Sequence, residues 1–292
     1  MRLSVVIPTR DRLPALLETL GRLDTQIVDA ADVELIVVDN GSVDGTPEAV
    51  RKESWRLPLT VLAEPKPGPA AARNRGVEAA RAPVILFLGD DTRPADDSLL
   101  AAHLRLHDED QRPGAAVLGT VTWRPDKPVT PFMRWLEASG VQFGFGDVGA
   151  GPVDAARYFY TSHVSLKRAA LKAAGAFDER FPYAAVEDSE LGWRLQRDGL
   201  DLRYHPELVV YHDHPYEPSD LARRQECVGR SARLMHELHP ELTMFASPRW
   251  TWPILSASVP LLSALAAHTP RVWEPLSMAA YVRGWRAGPP DA

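Results

Sequence analysis

Cysteine is almost missing from this chain. The single residue, Cys227, can form no internal disulfide and build no thiolate-rich zinc site. It lies in a polar helical stretch without a nucleophile pattern, which fits a reducing cytosol. Long apolar runs are missing too. No stretch reaches the roughly 18 uninterrupted apolar residues of a spanning helix, and the nearest, 250–268, is broken by prolines and serines. A basic excess is also absent. The formal net charge is −6, which argues against a general nucleic-acid binder. Met1 and Arg2 lead straight into a short strand, too short for the apolar core of a signal peptide. The expected location is therefore the cytoplasm. Neither a Gly-x-Gly-x-x-Gly turn nor a P-loop pattern follows the first strand, so a dinucleotide cofactor and a P-loop NTPase lack support.

What is present is a globular composition, 45% hydrophobic and 25% charged over 292 residues. That length suits one large α/β domain or two small ones. The organising stretch is Val84–Pro94, VILFLGDDTRP. Its unbroken apolar start reads as a strand covered on both faces. It stops at Gly89, presents Asp90 and Asp91, and reaches Pro94, which is expected to block further pairing. Ligands of open α/β sheets sit outside the carboxyl ends of the strands. Two adjacent carboxylates there suit a hard cation such as Mg²⁺ or Mn²⁺. A solvated turn would use the same residues.

The surrounding pattern bears on that choice. Strands are expected at Leu3–Ile7, Val33–Val38 and Leu59–Leu62, each followed by a helix: Leu13–Leu23, one capped at Thr46-Pro47, and Ala70–Ala80. This alternation predicts a Rossmann-like sheet. Right-handed crossovers then bring Thr9, Asp39 and Asp90/Asp91 to one edge. Further on, Ser98–His107 reads as a helix, Ala115–Thr122 as a strand and Phe132–Phe145 as a loop over the site. Tyr158–Leu166 and Leu202–Tyr211 are strand-like. Glu187-Asp188-Ser189-Glu190 opens a helix whose acids would serve the helix dipole, or face the same crevice. His212-Asp213-His214 closes the last strand and adds candidate ligands.

The ordered set VVIPTRDR, ELIVVDNGSVDGT, PGPAAARNRG, ILFLGDDTRP and AAVEDSELGWRLQRDGLDLRYHPELVVYHDH resembles the inverting, family 2 type of glycosyltransferase with a GT-A fold. It runs from about residue 3 to 214, nearly three quarters of the chain. The resemblance implies an α/β fold, a GT-A type Rossmann-like mixed sheet flanked by helices. Residues 1–215 would form the catalytic domain, with 1–122 the nucleotide-sugar half and 123–215 the acceptor half, and 216–292 would be a C-terminal helical extension. It implies a nucleotide-sugar donor, UDP- or dTDP-linked, a Mn²⁺ or Mg²⁺ cofactor, and a glycan, lipid-linked or small-molecule acceptor. Pro8, Thr9 and Arg10 would line the nucleoside pocket, Asp39 would bond the base, and Arg73 and Asn74 would lie near base and ribose. Asp90 would approach the ribose or sugar. Asp91, with His212 and then His214, would reach the metal. Asp188 would be the general base and Glu187 its orienting partner. Where the family carries a further acid before this pair, the chain has Gly89. A nucleotidyltransferase would want glycines in the PTRDR loop. A non-catalytic nucleotide-sugar binder is the remaining alternative.

In the tail, 219–239 reads as a charged helix. The stretch 250–268 would pack on the catalytic domain or a dimer partner, or lie in the inner membrane interface beside Arg271, Arg283 and Arg286. The last residues, 288–292, are expected to fray.

Overall fold

The computed structural model describes residues 1–142, 144–146, 148–214, 216–242 and 256–289. Four parallel strands form one half of its sheet: β1 (Leu3–Thr9), β2 (Val33–Asp39), β3 (Leu59–Ala63) and β4 (Val84–Leu88). Their order is β3-β2-β1-β4. Every residue of β2 and β4 is buried, and β4 is the unbroken apolar run expected of a strand covered on both faces. Between them lie α1 (Leu13–Asp24), α2 (Thr46–Lys52) and α3 (Pro69–Ala79). Helix α3 is built of small residues because it presses onto β1. A Cβ added at Gly76 would lie 2.4 Å from Val6 Cγ1.

The chain then makes β5 (Thr92–Pro94), α4 (Leu99–Glu109), β6 (Ala115–Trp123), α5 (Pro131–Ala138), β7 (Gly151–Pro152) and α6 (Ala155–Tyr158). After these come β8 (His163–Lys167), α7 (Arg168–Ala173), α8 (Glu187–Arg197) and β9 (Asp201–His212). The sheet continues β4-β8-β6-β9-β5, with β8 antiparallel to both neighbours and β6 parallel to β9. It is thus a mixed sheet.

Three local expectations change. Pro94 does not stop pairing: β5 runs antiparallel to β9, with Thr92 opposite His212. It lies at the sheet edge, where a missing N–H costs nothing. The segment taken as a loop from Phe132 begins as helix α5, with Pro131 in its first turn. The Thr130 hydroxyl caps it by accepting from Met133 N, while Phe132, Met133 and Leu136 are buried. Strand β8 starts only at His163, because Ala155–Tyr158 forms a helical turn capped by Asp154.

Beyond the sheet, α9 (Leu221–Leu238), α10 (Val259–Ala266) and α11 (Trp273–Ala287) follow. Helices α9 and α11 cross at backbone contact. A Cβ at Gly229 would meet Tyr281 O at 2.0 Å, and one at Gly284 would meet Glu226 O at 2.0 Å. Val259, Ala266, Trp273 and Leu276 join Phe132 and Leu136 of α5 in one apolar cluster. Leu261 and Leu265 stay exposed. Residues 250–255 and 290–292 of the tail lie outside the described residues. No helix among the described residues is long and apolar enough to cross a membrane.

A buried histidine relay ties α4 to the sheet. His163 Nδ1 lies 3.2 Å from Thr120 O, which can only accept, so that nitrogen carries the proton. His163 Nε2 must then accept from His103 Nε2 at 3.0 Å. The Ser165 hydroxyl in turn donates to His103 Nδ1 and accepts from His107 Nε2, both at 2.8 Å. One carbonyl therefore sets three neutral tautomers. Burial lowers the pKa of His107 and His163 to about 4, and holds that of His103 well below its ordinary value. Because these folded-state values lie below the ordinary 6.5, the unfolded chain binds protons first as pH falls. The stability these three histidines contribute is full above about pH 6.5 and lost as pH drops toward 4, offset in part by Asp90 and Asp188, which take up protons in the folded state over the same range. We expect a loss of about 1.4 kcal/mol per pH unit for each proton taken up. Urea midpoints that stay flat from pH 6.5 to 5, above the range of ordinary carboxylates, would refute this.

Candidate active site

A cavity of about 690 Å³ opens where β1 and β4 end, facing the start of α8. Pairing of β5 with β9 builds its first cluster by carrying Asp91 to His212. His212 Nε2 lies 3.4 Å from Asp91 Oδ2. The His212 ring stacks on Tyr216 and meets the edge of Trp123. Burial lowers its pKa to about 4, so it is neutral at pH 7. Asp90 accepts a 2.8 Å hydrogen bond from the Thr9 hydroxyl. Burial, then repulsion from Asp91, raises its pKa. Gly89 permits this close pair, since a Cβ there would lie 3.1 Å from Asp91 Oδ1.

The counter-charge comes from the loop after β1. Asp11 is left-handed, with φ of 52°. The chain turns there, so Arg10 stays exposed while Arg12 points inward. Arg12 Nη1 bonds Asp91 Oδ2 and lies 3.6 Å from Asp90 Oδ1.

The second cluster is the start of α8. Val186, which precedes it, is buried with φ of 74°. A left-handed β-branched residue costs on the order of 1–3 kcal/mol, and here Val186 packs with Phe181, Leu234 and Met235. The acids that follow divide their tasks. Glu187 is 2% exposed and pairs with Arg73 at 2.7 Å. Glu190 is held by Arg194 and His239. Asp188 lines the cavity, and among the described residues no cation lies within ion-pair distance of it. Burial, then the charge of Glu187, pushes its pKa up to about 7.

Pro8, Thr9, Arg10, Arg73, Asp90, Asp91, Glu187, Asp188 and His212 all line this one cavity. Asp39, Asn74 and His214 do not. Asp39 accepts from Ser42 N. Asn74 bonds Phe177 and Glu179, fastening the turn before α8. Asp213 faces the other way, toward Arg124 and Lys127. Arg12, Gln142, Tyr160 and Arg224 also line the cavity. Arg224 belongs to α9 and bonds Gln142 and the Tyr216 hydroxyl, so α9 contributes to the site. Trp123, Trp193 and Tyr183 do not line it.

The family model for Glycosyl transferase family 2 matches residues 4–148, and that for Glycosyl transferase family group 2 matches residues 84–282. The chain belongs to glycosyltransferase family 2. Among similar proteins, validoxylamine A glucosyltransferase of Streptomyces hygroscopicus subsp. jinggangensis is 31% identical over 82% of this chain and 62% of its own length. Pre-mycofactocin glycosyltransferase of Mycobacterium tuberculosis is 30% identical over 82% of this chain and 48% of its own. This family 2 chain thus spans about half to three fifths of the length of such relatives. The mannosyltransferase PcManGT of Pyrobaculum calidifontis, solved with GDP-Man and Mn²⁺, superposes with a TM-score of 0.64 at 20% identity, covering 98% of this chain and 86% of that one. S. aureus TarS superposes at 0.59 and 16%, covering 98% and 89%. Both are GT-A glycosyltransferases, and the likeness establishes the GT-A fold of this family 2 member.

Proposed function

We propose that this family 2 chain is an inverting glycosyltransferase that moves a sugar from a UDP- or dTDP-linked donor to an acceptor hydroxyl. The acceptor would be a glycan, a lipid-linked sugar or a small molecule. The carrying observation is that Asp188, a carboxylate with its pKa near 7 and no cation paired to it among the described residues, shares one cavity with the Asp91–His212 pair.

The chemistry is a single in-line displacement. The acceptor oxygen forms its bond to the anomeric carbon as the carbon–oxygen bond to phosphate breaks, and the diphosphate leaves with the electron pair. The acceptor's proton passes to Asp188, and a base with a pKa near the working pH does this best. Arg12 and Arg224 bring positive charge to the cavity, where it favours the diphosphate. Glu187, held by Arg73, keeps the pKa of Asp188 high.

The residues present also fit a divalent cation. Among the described residues no group of three His, Cys, Asp or Glu side chains surrounds one point. Asp91 and His212 form a pair, which suits an ion that takes its other ligands from phosphate and water, as Mg²⁺ does. When bound, such an ion offsets charge on the departing diphosphate.

Calorimetric titration with UDP, dTDP and GDP, each with Mn²⁺ and with chelator, tests the reading. Metal-dependent binding of UDP or dTDP is expected. No binding by any of the three to folded protein would contradict it.

A further inference from the structure

Asp90 and Asp91 each have side chains about one tenth exposed, 11% and 10%. Two carboxylates buried side by side need a cation. In this structure that cation belongs to the chain itself. Arg12 Nη1 bonds Asp91 Oδ2, the same oxygen that stands 3.4 Å from His212 Nε2. Two donors that far apart can share an ion bound at about 2.1 Å from each. The guanidinium therefore holds the oxygen that a divalent ion on Asp91 and His212 would need.

The side chain is able to leave. It is 37% exposed, whereas its backbone is fixed on both sides. Asp11 N donates to Ser42 Oγ, Asp11 Oδ1 accepts from Val43 N, and Leu13 N donates to Asp44 Oδ2. Arg12 can swing without the loop moving. Arg224 is already bonded to Gln142 and Tyr216, so it does not replace Arg12 on Asp91.

We propose that Arg12 is a built-in counter-ion that competes with the divalent cation for Asp91 and yields when the donor's diphosphate arrives to receive it. This rests on Asp91 and His212 being the cation's ligands. It makes cation and diphosphate binding mutually dependent. The free protein holds the metal poorly, because the metal must displace a paired arginine. With the diphosphate present, the displaced guanidinium gains a new anionic partner, and the metal gains phosphate oxygens.

The test is Mn²⁺ binding to the whole protein, followed by the spin-resonance signal of free Mn²⁺, with and without UDP and with no acceptor. A charge within 4–6 Å of a carboxylate changes its proton affinity by roughly one to three powers of ten, and a bound cation responds to the same charge. Without UDP, Arg12→Gln should therefore bind Mn²⁺ about tenfold or more tighter than the native protein. Arg12→Lys, which keeps the charge on a shorter side chain, should fall between them. UDP should tighten Mn²⁺ binding most in the native protein and least in Arg12→Gln. Any other order among the three proteins overturns the proposal. If the native protein binds Mn²⁺ with UDP but the order is wrong, only the role of Arg12 falls. If it fails to bind Mn²⁺ even with UDP, the assignment of Asp91 and His212 falls as well.

Discussion

Asp188→Asn should abolish most turnover while leaving donor binding intact. Asparagine keeps the size and the backbone contact but cannot take a proton, and loss of a general base costs about 10²–10⁴-fold in rate. The proposed donor contacts are at Asp91, His212 and Arg12, not at Asp188, so the affinity for UDP with Mn²⁺ should change little. The native enzyme's pH profile should show an acid limb near pH 7, because the base works only when deprotonated. Glu187→Gln removes the like charge that helps hold the Asp188 pKa up, so its acid limb should move to lower pH. Turnover of Asp188→Asn within a few-fold of native would remove Asp188 from this role. An unmoved limb in Glu187→Gln would deny the coupling.

Arg73→Met should be the most destabilising single change in the site. Its side chain is 10% exposed and that of Glu187 3%, with 2.7 Å between them. Removing the arginine leaves a buried carboxylate without its cation, a loss of about 3–5 kcal/mol for broken pairs of this kind. It also removes the positive charge that lowers the pKa of Asp188, so any remaining activity should show its acid limb at higher pH. The double variant Arg73→Met, Glu187→Met should recover much of the stability, because two apolar side chains of similar volume leave no charge stranded. Urea unfolding of the three proteins checks this. A single variant within about 0.5 kcal/mol of native, the range of ordinary surface changes, would show that the pair carries no such weight.

The ends of β1 and β4, and the acidic start of α8, were legible because each joins a strong periodic signal to abrupt polar residues. Apolar runs with no alternation announce buried parallel strands, and topology then brings their ends together. The rest depended on geometry that residue identity does not carry. Arg10 and Arg12 look equivalent in PTRDR, and only the left-handed Asp11 between them turns Arg12 inward. Arg224 lies in a helix that reads as charged, and nothing in its sequence separates it from Arg223, Arg230 and Arg233, yet it alone of the four lines the cavity. His212 and His214 are alike in sequence, yet pairing with Thr92 and Trp123 fixes only His212 against Asp91. Helix α5 was hidden because its aromatic residues resemble those of a loop over a site, although Thr130-Pro131 is a helix start.

The most direct measurement of the central claim, sugar transfer by a single displacement with Asp188 as base, is a proton NMR time course with an α-linked UDP- or dTDP-sugar and water as the acceptor. The first free sugar to form should be the β-anomer, ahead of its slow equilibration, and Asp188→Asn should not release it. First release of the α-anomer, or equal release by Asp188→Asn, would contradict the account.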